Sequence, residues 1–334
     1  MNKAIHFSRM IRMSLSYWRK KTRLGYLPTR LWIEPTNICN LQCIMCPQSV
    51  NIPHKKGYME FSLFKKIIDE AKHFIYDASL HHTGESLLYP EFFEMIRYAK
   101  INGIYTRLHT NATLLTEEKS RGLIDSGLDF ISFSFDGYDK GTFEKIRIGA
   151  NFDNTLHNIK RFLSLKQSLN RKTPFTVFET MEFLKKDLEE NEARRERFKK
   201  ELSSLGLNKF VVKRPHNWAG SYSAPNNSTA EHKQNGFSAC TFLWYALVIC
   251  WDGTVLPCPS DFYSKLKLGN VAKSPLAHIW NNSQMIDLRK KMCKGLYKEL
   301  YPCKSCDMLW REKFLGIPTS NLKSFIWENL FGHS

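Results

Sequence analysis

Three cysteines, Cys39, Cys43 and Cys46, fall within "EPTNICNLQCIMCP", with three and then two residues between them. Thiolates hold iron in cubane clusters, and three of them occupy three irons while leaving the fourth open to a ligand that is not protein. An open metal position is what chemistry requires. A structural zinc site asks for four protein ligands, usually in paired short spacings, and no fourth cysteine stands near this triad. A second set comprises Cys240, Cys258 and the close pair Cys303 and Cys306 of "CKSC". Four thiolates would saturate a second cluster and suit it to electron relay. The same pattern also suits a tetrahedral zinc ribbon.

These residues need elements to position them. From residue 31 to about 214, short apolar, β-branched or aromatic runs alternate with longer amphipathic ones. Strands are expected at Leu31–Thr36, Ser79–Thr83, Tyr105–Thr110, Phe130–Phe135, Phe175–Glu182 and Lys209–Arg214. Helices are expected near 62–75, 90–102, 116–126, 152–169 and 187–205, with Gly103, Gly127 and Gly206 just beyond three of their ends. Six βα-type repeats imply an α/β fold with a parallel sheet and right-handed crossovers, open or curved toward a barrel. Ligands in both architectures sit at the carboxyl ends of the strands, and the triad follows the first strand directly. The Ser-, Asn- and Pro-rich stretch between Trp218 and Asn235 reads as a linker. Beyond it, apolar runs ending at Cys250 and Cys258 flank an Asp252–Gly253 turn signal and form an expected hairpin, followed by a helix near 275–292.

The Cys-x3-Cys-x2-Cys spacing after a first strand resembles the signature of the radical S-adenosylmethionine superfamily. The resemblance implies a [4Fe–4S] cluster whose open iron is chelated by the amino and carboxylate groups of S-adenosylmethionine. One electron then cleaves the cosubstrate to methionine and a 5′-deoxyadenosyl radical, which abstracts hydrogen from substrate. Thr83, Gly84 and Glu85 look like the family's Gly-Gly-Glu element for the cosubstrate ammonium, with Thr83 in place of the first glycine. Ser134 and Asp136 of "SFSFDG" match positions that contact the ribose hydroxyls in similar proteins, and Ser132 shares their strand face. Asn111 of "HTNAT" resembles the family's Thr-Asn element. Lys213 and Arg214 end the sixth strand, where they suit the cosubstrate carboxylate or an anionic substrate. Arg147 resembles an arginine common beyond the fourth strand of relatives, although solvated surface is the default for all three basic residues.

The second cysteine set, with "WDGTVLPCPSD", "LGNV" and "HIW" around it, resembles the SPASM domain in a shortened, twitch-type form carrying one auxiliary [4Fe–4S] cluster. The implied architecture is a partial (β/α)6 TIM-like barrel followed by a small cysteine-rich SPASM-type domain. Its expected parts are a basic extension over 1–30, a core over 31–217, a linker over 218–237, the SPASM-type unit over 238–312 and a tail over 313–334. Cys250 and Cys293 are left over. Each reads as a small buried hydrophobe, or as the thiol that returns a hydrogen atom to a substrate radical, as in related epimerases. The expected reaction is oxidative with the auxiliary cluster accepting an electron; a redox-neutral epimerisation, an RNA modification and a plain electron carrier are the rivals.

Composition narrows the partners. The formal net charge of +17 favours an anionic substrate such as a nucleotide- or lipid-linked sugar, another anionic small molecule or a modified peptide. Nucleic acid is a weaker fit, because basic residues interleave with aromatics mainly in the first 30 residues and no RNA-binding signature occurs. A low-potential donor such as flavodoxin or ferredoxin would supply the electron. No run of 18 uncharged apolar residues and no signal-peptide pattern occurs, so the expected location is the cytoplasm. No acidic residue precedes Glu34, and the basic, apolar-striped residues 1–28 read either as a segment lying on anionic lipid at the inner membrane face or as a leader packed on the protein.

Overall fold

A computed structural model describes residues 3–49, 55–183, 188–213, 215, 217, 236–314 and 317–319. Its centre is a sheet begun by six strands: β1 (Arg30–Ile33), β2 (Asp77–Ser79), β3 (Tyr105–Thr110), β4 (Phe130–Ser134), β5 (Phe175–Met181) and β6 (Lys209–Lys213). They pair in parallel in chain order, and between them run α2 (Phe61–Ala71), α3 (Phe92–Ile101), α4 (Glu117–Asp125), α5 (Lys140–Ile146), α6 (Phe152–Ser168) and α7 (Leu188–Ser204), with α1 (Lys3–Trp18) ahead of β1. The helices form for local reasons. In α2, Phe64, Ile67, Ile68 and Ala71 make one buried stripe at helical spacing. Thr116 caps α4 by accepting from the Lys119 amide at 3.2 Å, and Gly127 takes φ +80° beyond its end.

The sheet does not close into a barrel. It extends instead past β1, in the order β6-β5-β4-β3-β2-β1-β7-β8-β9. The expected hairpin is present as β7 (Ala246–Ile249) and β8 (Thr254–Leu256), with Gly253 at φ +82° in the turn. The added finding is that β7 pairs in parallel with β1, from Arg30 opposite Ala246 to Ile33 opposite Ile249. The cysteine-rich unit therefore continues the core sheet, and β9 (Gly269–Asn270) ends it.

Several elements differ from expectation. β2 begins earlier, at Asp77, because that carboxylate is not facing water: it takes Arg30 Nε at 2.6 Å and Arg30 Nη2 at 2.5 Å. α5 was unanticipated, and it starts where Asp139 accepts from the Thr142 amide. The helix expected near 275–292 is two, α9 (Leu276–Trp280) and α10 (Ser283–Cys293), split where Asn282 caps the second. α8 (Phe242–Tyr245) is a single turn leading into β7. Residues 218–235 of the expected linker, Arg214, and 320–334 of the expected tail lie outside the described residues.

The N-terminal helix packs on the protein through one face. His6 stacks on Tyr76 at 3.9 Å, Arg9 donates to the Phe74 and His73 carbonyls, and Tyr17 donates to the Ala239 carbonyl at 2.8 Å while its ring meets Trp244 edge-on. Its other face leaves Phe7, Ile11, Leu15 and Trp18 exposed. No helix among the described residues is long and apolar enough to cross a membrane.

Asp77 is the electrostatic centre of the sheet's base, with Arg107 at 3.5 Å on its other side. Burial opposes its ionisation, but Arg30 and Arg107 outweigh burial and hold the carboxyl below the usual carboxylate range. Its contribution to stability is therefore present above about pH 4 and lost as pH falls through the lowered folded value. Asp77→Asn leaves two arginines without their anion and should cost roughly 3 kcal/mol at neutral pH. Urea unfolding at several pH values checks this: the gap between variant and parent should narrow below about pH 4.

Candidate functional site: two cysteine sets joined by one sheet

The triad lies in the loop leaving β1, and two features of the chain hold that loop down. Gly84 presses against it so closely that a Cβ would sit 2.3 Å from the Thr36 carbonyl oxygen and 2.6 Å from that of Ile38. The next residue donates its amide to the Ile38 carbonyl at 2.9 Å. On the far side, Gln42 and Ile44 donate to the carbonyls of Ile148 and Ile146, tying the triad loop to the end of α5. Cys39, Cys43 and Cys46 then share a small apolar cluster with Leu41, Met45, Ile146 and Phe183.

Burial pushes the Cys39 and Cys43 thiols up to about 11 and raises Cys46 as well. Neighbouring sulfurs add to the rise at each position, as three clustered donors must. Arg147 opposes it. Rather than lying on the solvated surface, this guanidinium is buried, pairs with Asp136 at 2.7 Å and leaves its Nε without a hydrogen-bond partner among the described residues. A buried, unspent cation donor beside three thiols fits an anionic group such as a thiolate-bound cluster or a cosubstrate carboxylate.

The other expected residues surround this centre. Glu85 is buried, and its carboxylate accepts from Thr110 Oγ1 at 2.8 Å, the Asn111 amide at 2.8 Å and the Leu87 amide at 3.2 Å. Burial raises its pKa despite those donors. Asn111 directs its Nδ2 to Cys39 Sγ at 4.0 Å and to Asn40 Oδ1 at 3.0 Å. Asp136 also accepts from the Met181 amide at 2.7 Å, so its carboxylate is engaged by protein on two sides. Ser134 is partly buried at the end of β4, and Ser132 Oγ is buried with no partner among the described residues. Thr83 turns away from the triad: its amide and hydroxyl both donate to Glu34. Lys213 reaches Glu179 at 2.7 Å across neighbouring strands.

Cys240, Cys258, Cys303 and Cys306 come together. Burial is the main cause of the raised pKa of each, and charge on other members of the set raises Cys240, Cys303 and Cys306 further. The Ser260 amide already donates to Cys258 Sγ at 3.3 Å, the kind of contact that stabilises a cluster sulfur. Cys250 directly follows β7, buried, at the same end of the sheet as the triad. Cys293 is elsewhere, at the end of α10 with its sulfur 3.9 Å from the Lys20 carbonyl. Two residues outside the expected site, Glu34 and His82, have buried side chains beside Cys250. An acid at the end of an apolar strand and the paired histidines of "LHHTGE" were the available signals.

An open parallel sheet with an incomplete thiolate triad at its carboxyl edge and a complete four-thiolate set beside it defines an iron–sulfur enzyme. The chain matches the family model for the Radical SAM superfamily over residues 33–180 and that for the iron–sulfur cluster-binding SPASM domain over 240–307. It belongs to the radical SAM superfamily and carries a C-terminal SPASM domain. The tungsten-containing aldehyde ferredoxin oxidoreductase cofactor-modifying protein of Pyrococcus furiosus is 37% identical over 111 residues, 32% of this chain and 30% of that protein. A PqqA peptide cyclase of Bradyrhizobium diazoefficiens is 30% identical over 121 residues, 36% of this chain and 32% of that protein. The chain thus matches about a third of the length of these curated relatives. Streptococcus suis SuiB bound to precursor peptide SuiA superposes with a TM-score of 0.65 at 15% identity, over 91% of this chain and 75% of that one.

The close approach at Gly84 yields a test. Gly84→Ala forces the triad loop to shift by roughly 1 Å, a misplacement that costs about a hundredfold in rate at a reacting centre. S-adenosylmethionine cleavage should fall by that order while the four-thiolate set keeps its iron, measured by product formation beside iron content.

Proposed function

We propose that this chain uses S-adenosylmethionine to begin hydrogen abstraction from an anionic organic substrate, and that the reaction is oxidative. The observation that carries this reading is the pairing of a three-thiol set beside Arg147 with a four-thiol set on the same sheet. A cluster bound by Cys39, Cys43 and Cys46 would supply the electron that cleaves the cosubstrate to methionine and the 5′-deoxyadenosyl radical, and one bound by Cys240, Cys258, Cys303 and Cys306 would accept an electron. The residues' part is to bind and to orient. Arg147 brings a buried cation to the triad, Asn111 fixes the Cys39 side, and Glu85 braces the loop after β2 against the end of β3. A flavodoxin or ferredoxin is the expected donor, in the cytoplasm.

The net charge of +17 supports an anionic substrate, although on the sheet face Arg107 and Lys213 are already paired with Asp77 and Glu179. His109 is pushed down to about 3 by burial and by Lys213, Arg107 and Arg30, so near neutral pH it is a neutral donor or acceptor rather than a cation. Peptide is the favoured class, since SuiB binds a precursor peptide and a PqqA peptide cyclase is among the relatives. Cys250, at the triad's end of β7, favours a second reading in which its thiol returns hydrogen in a redox-neutral reaction.

Reduced holoprotein, loaded to about eight irons per chain, should release 5′-deoxyadenosine from S-adenosylmethionine. Failure with both clusters intact removes the enzymatic reading. In deuterated water, an epimerised product carrying deuterium that disappears in Cys250→Ala would replace oxidation by the second reading.

The exposed stripe of α1, Phe7, Ile11, Leu15 and Trp18, is rimmed by exposed Arg12, Arg19, Lys20 and Lys21. This arrangement supports peripheral contact with anionic lipid. The full chain should float with phosphatidylglycerol vesicles at low salt, and Ile11→Glu/Leu15→Glu should abolish flotation; equal flotation of the two excludes the contact.

A further inference from the structure

Glu34, His82 and Cys250 offer one ligand atom each, all within 4.8 Å of one another, at the carboxyl ends of β1, the β2 loop and β7. The triad and the four-thiol set make no use of these three side chains. The imidazole is set as a ligand imidazole is set. His82 Nε2 lies 2.9 Å from the Pro259 carbonyl oxygen, which can only accept, so Nε2 carries the proton. The other nitrogen, Nδ1, faces the cluster, buried and with no hydrogen-bond partner among the described residues. Glu34 Oε1 is 3.3 Å from it but off the line of a hydrogen bond. Metal-bound histidines characteristically donate their second ring nitrogen to a carbonyl or carboxylate, which fixes tautomer and ring orientation. Phe262 stacks on the ring within 4° of parallel and holds its plane.

We infer that Glu34, His82 and Cys250 form a site for one divalent transition ion of the zinc type, separate from both iron–sulfur sites. One carboxylate, one thiolate and one neutral imidazole bring two negative charges, which a dication balances. Sulfur, nitrogen and oxygen together suit zinc, whose bonds of about 2.0–2.3 Å place ligand atoms roughly 3.5 Å apart. The present separations, up to 4.8 Å, are wider than that, so an ion would draw the three side chains together. Three protein ligands leave a fourth position open, toward a cleft lined by Asn37, Gln48, Lys56 and Lys267. Lysines there favour an anionic fourth ligand, such as a substrate carboxylate. In the metal-free chain Glu34 and His82 form an ion pair at 3.3 Å only when the imidazole is protonated on both nitrogens, and a bound ion replaces the Nδ1 proton. A metal-bound thiolate has no S–H to give, so this assignment and the hydrogen-donor reading of Cys250 exclude each other.

The test uses anaerobically reconstituted full-length protein, dialysed against chelator-buffered zinc and assayed for zinc and iron by mass spectrometry. One zinc per chain is expected, absent from both His82→Gln and Cys250→Ser, with iron content and circular dichroism unchanged in each. Zinc-edge X-ray absorption should show one sulfur with nitrogen and oxygen neighbours. Three results overturn the site: no zinc in the parent chain, which leaves Glu34 and His82 as an ion pair only; zinc retained in either variant; or four sulfur neighbours, which moves the ion to the SPASM cysteines. If a variant loses iron as well, the absorption spectrum of the parent decides alone.

Discussion

The parallel pairing of β7 with β1 is the constraint on which the rest of the structure depends. β1 is only four residues long, yet it is bonded on both sides, to β2 through Arg30–Trp32 and to β7 through Arg30–Ile33. Its carboxyl end delivers Glu34, the Thr36–Ile38 backbone and then the triad; that of β7 delivers Cys250 and, through the hairpin, Cys258. The separation of the two thiol sets is thereby fixed by a hydrogen-bond ladder. Electron exchange between clusters needs a fixed distance, and a ladder holds one better than a tether would.

The local parts of this arrangement were legible in the sequence. The triad's spacing, the alternation in "YTRLHT" and the Asp-Gly turn each carry their signal within a few residues. What escaped depends on partners far along the chain. Every residue of β7 is buried, so "ALVI" has no alternation to show which neighbour it takes. The start of β2 at Asp77, ahead of the expected Ser79, was hidden because the two arginines that pair with that carboxylate stand on other strands. Arg147 read as surface for the same reason, and its burial is intelligible only beside Asp136 and the thiols. The site residues were legible as types, while their hydrogen-bond partners were not.

The region between the thiol sets is polar yet ordered. Segment 258–262 gives Cys258 to one set, the Pro259 carbonyl to His82 and the Phe262 ring both to His82 and to the triad's apolar cluster. Five consecutive residues thus join the four-thiol set, His82 and the apolar cluster around the triad. A displacement there would register at both thiol sets together.

The β1–β7 ladder also has a consequence for how the chain is made. During synthesis β1 emerges before β7, its second neighbour, which lies more than two hundred residues behind it. Until Ile249 leaves the ribosome, β1 presents an unpaired edge of apolar backbone, the kind that recruits strands from other chains. Late closure at high contact order also slows folding. The basic segment ahead of β1, repelled by its own copies, stands next to that edge during the wait.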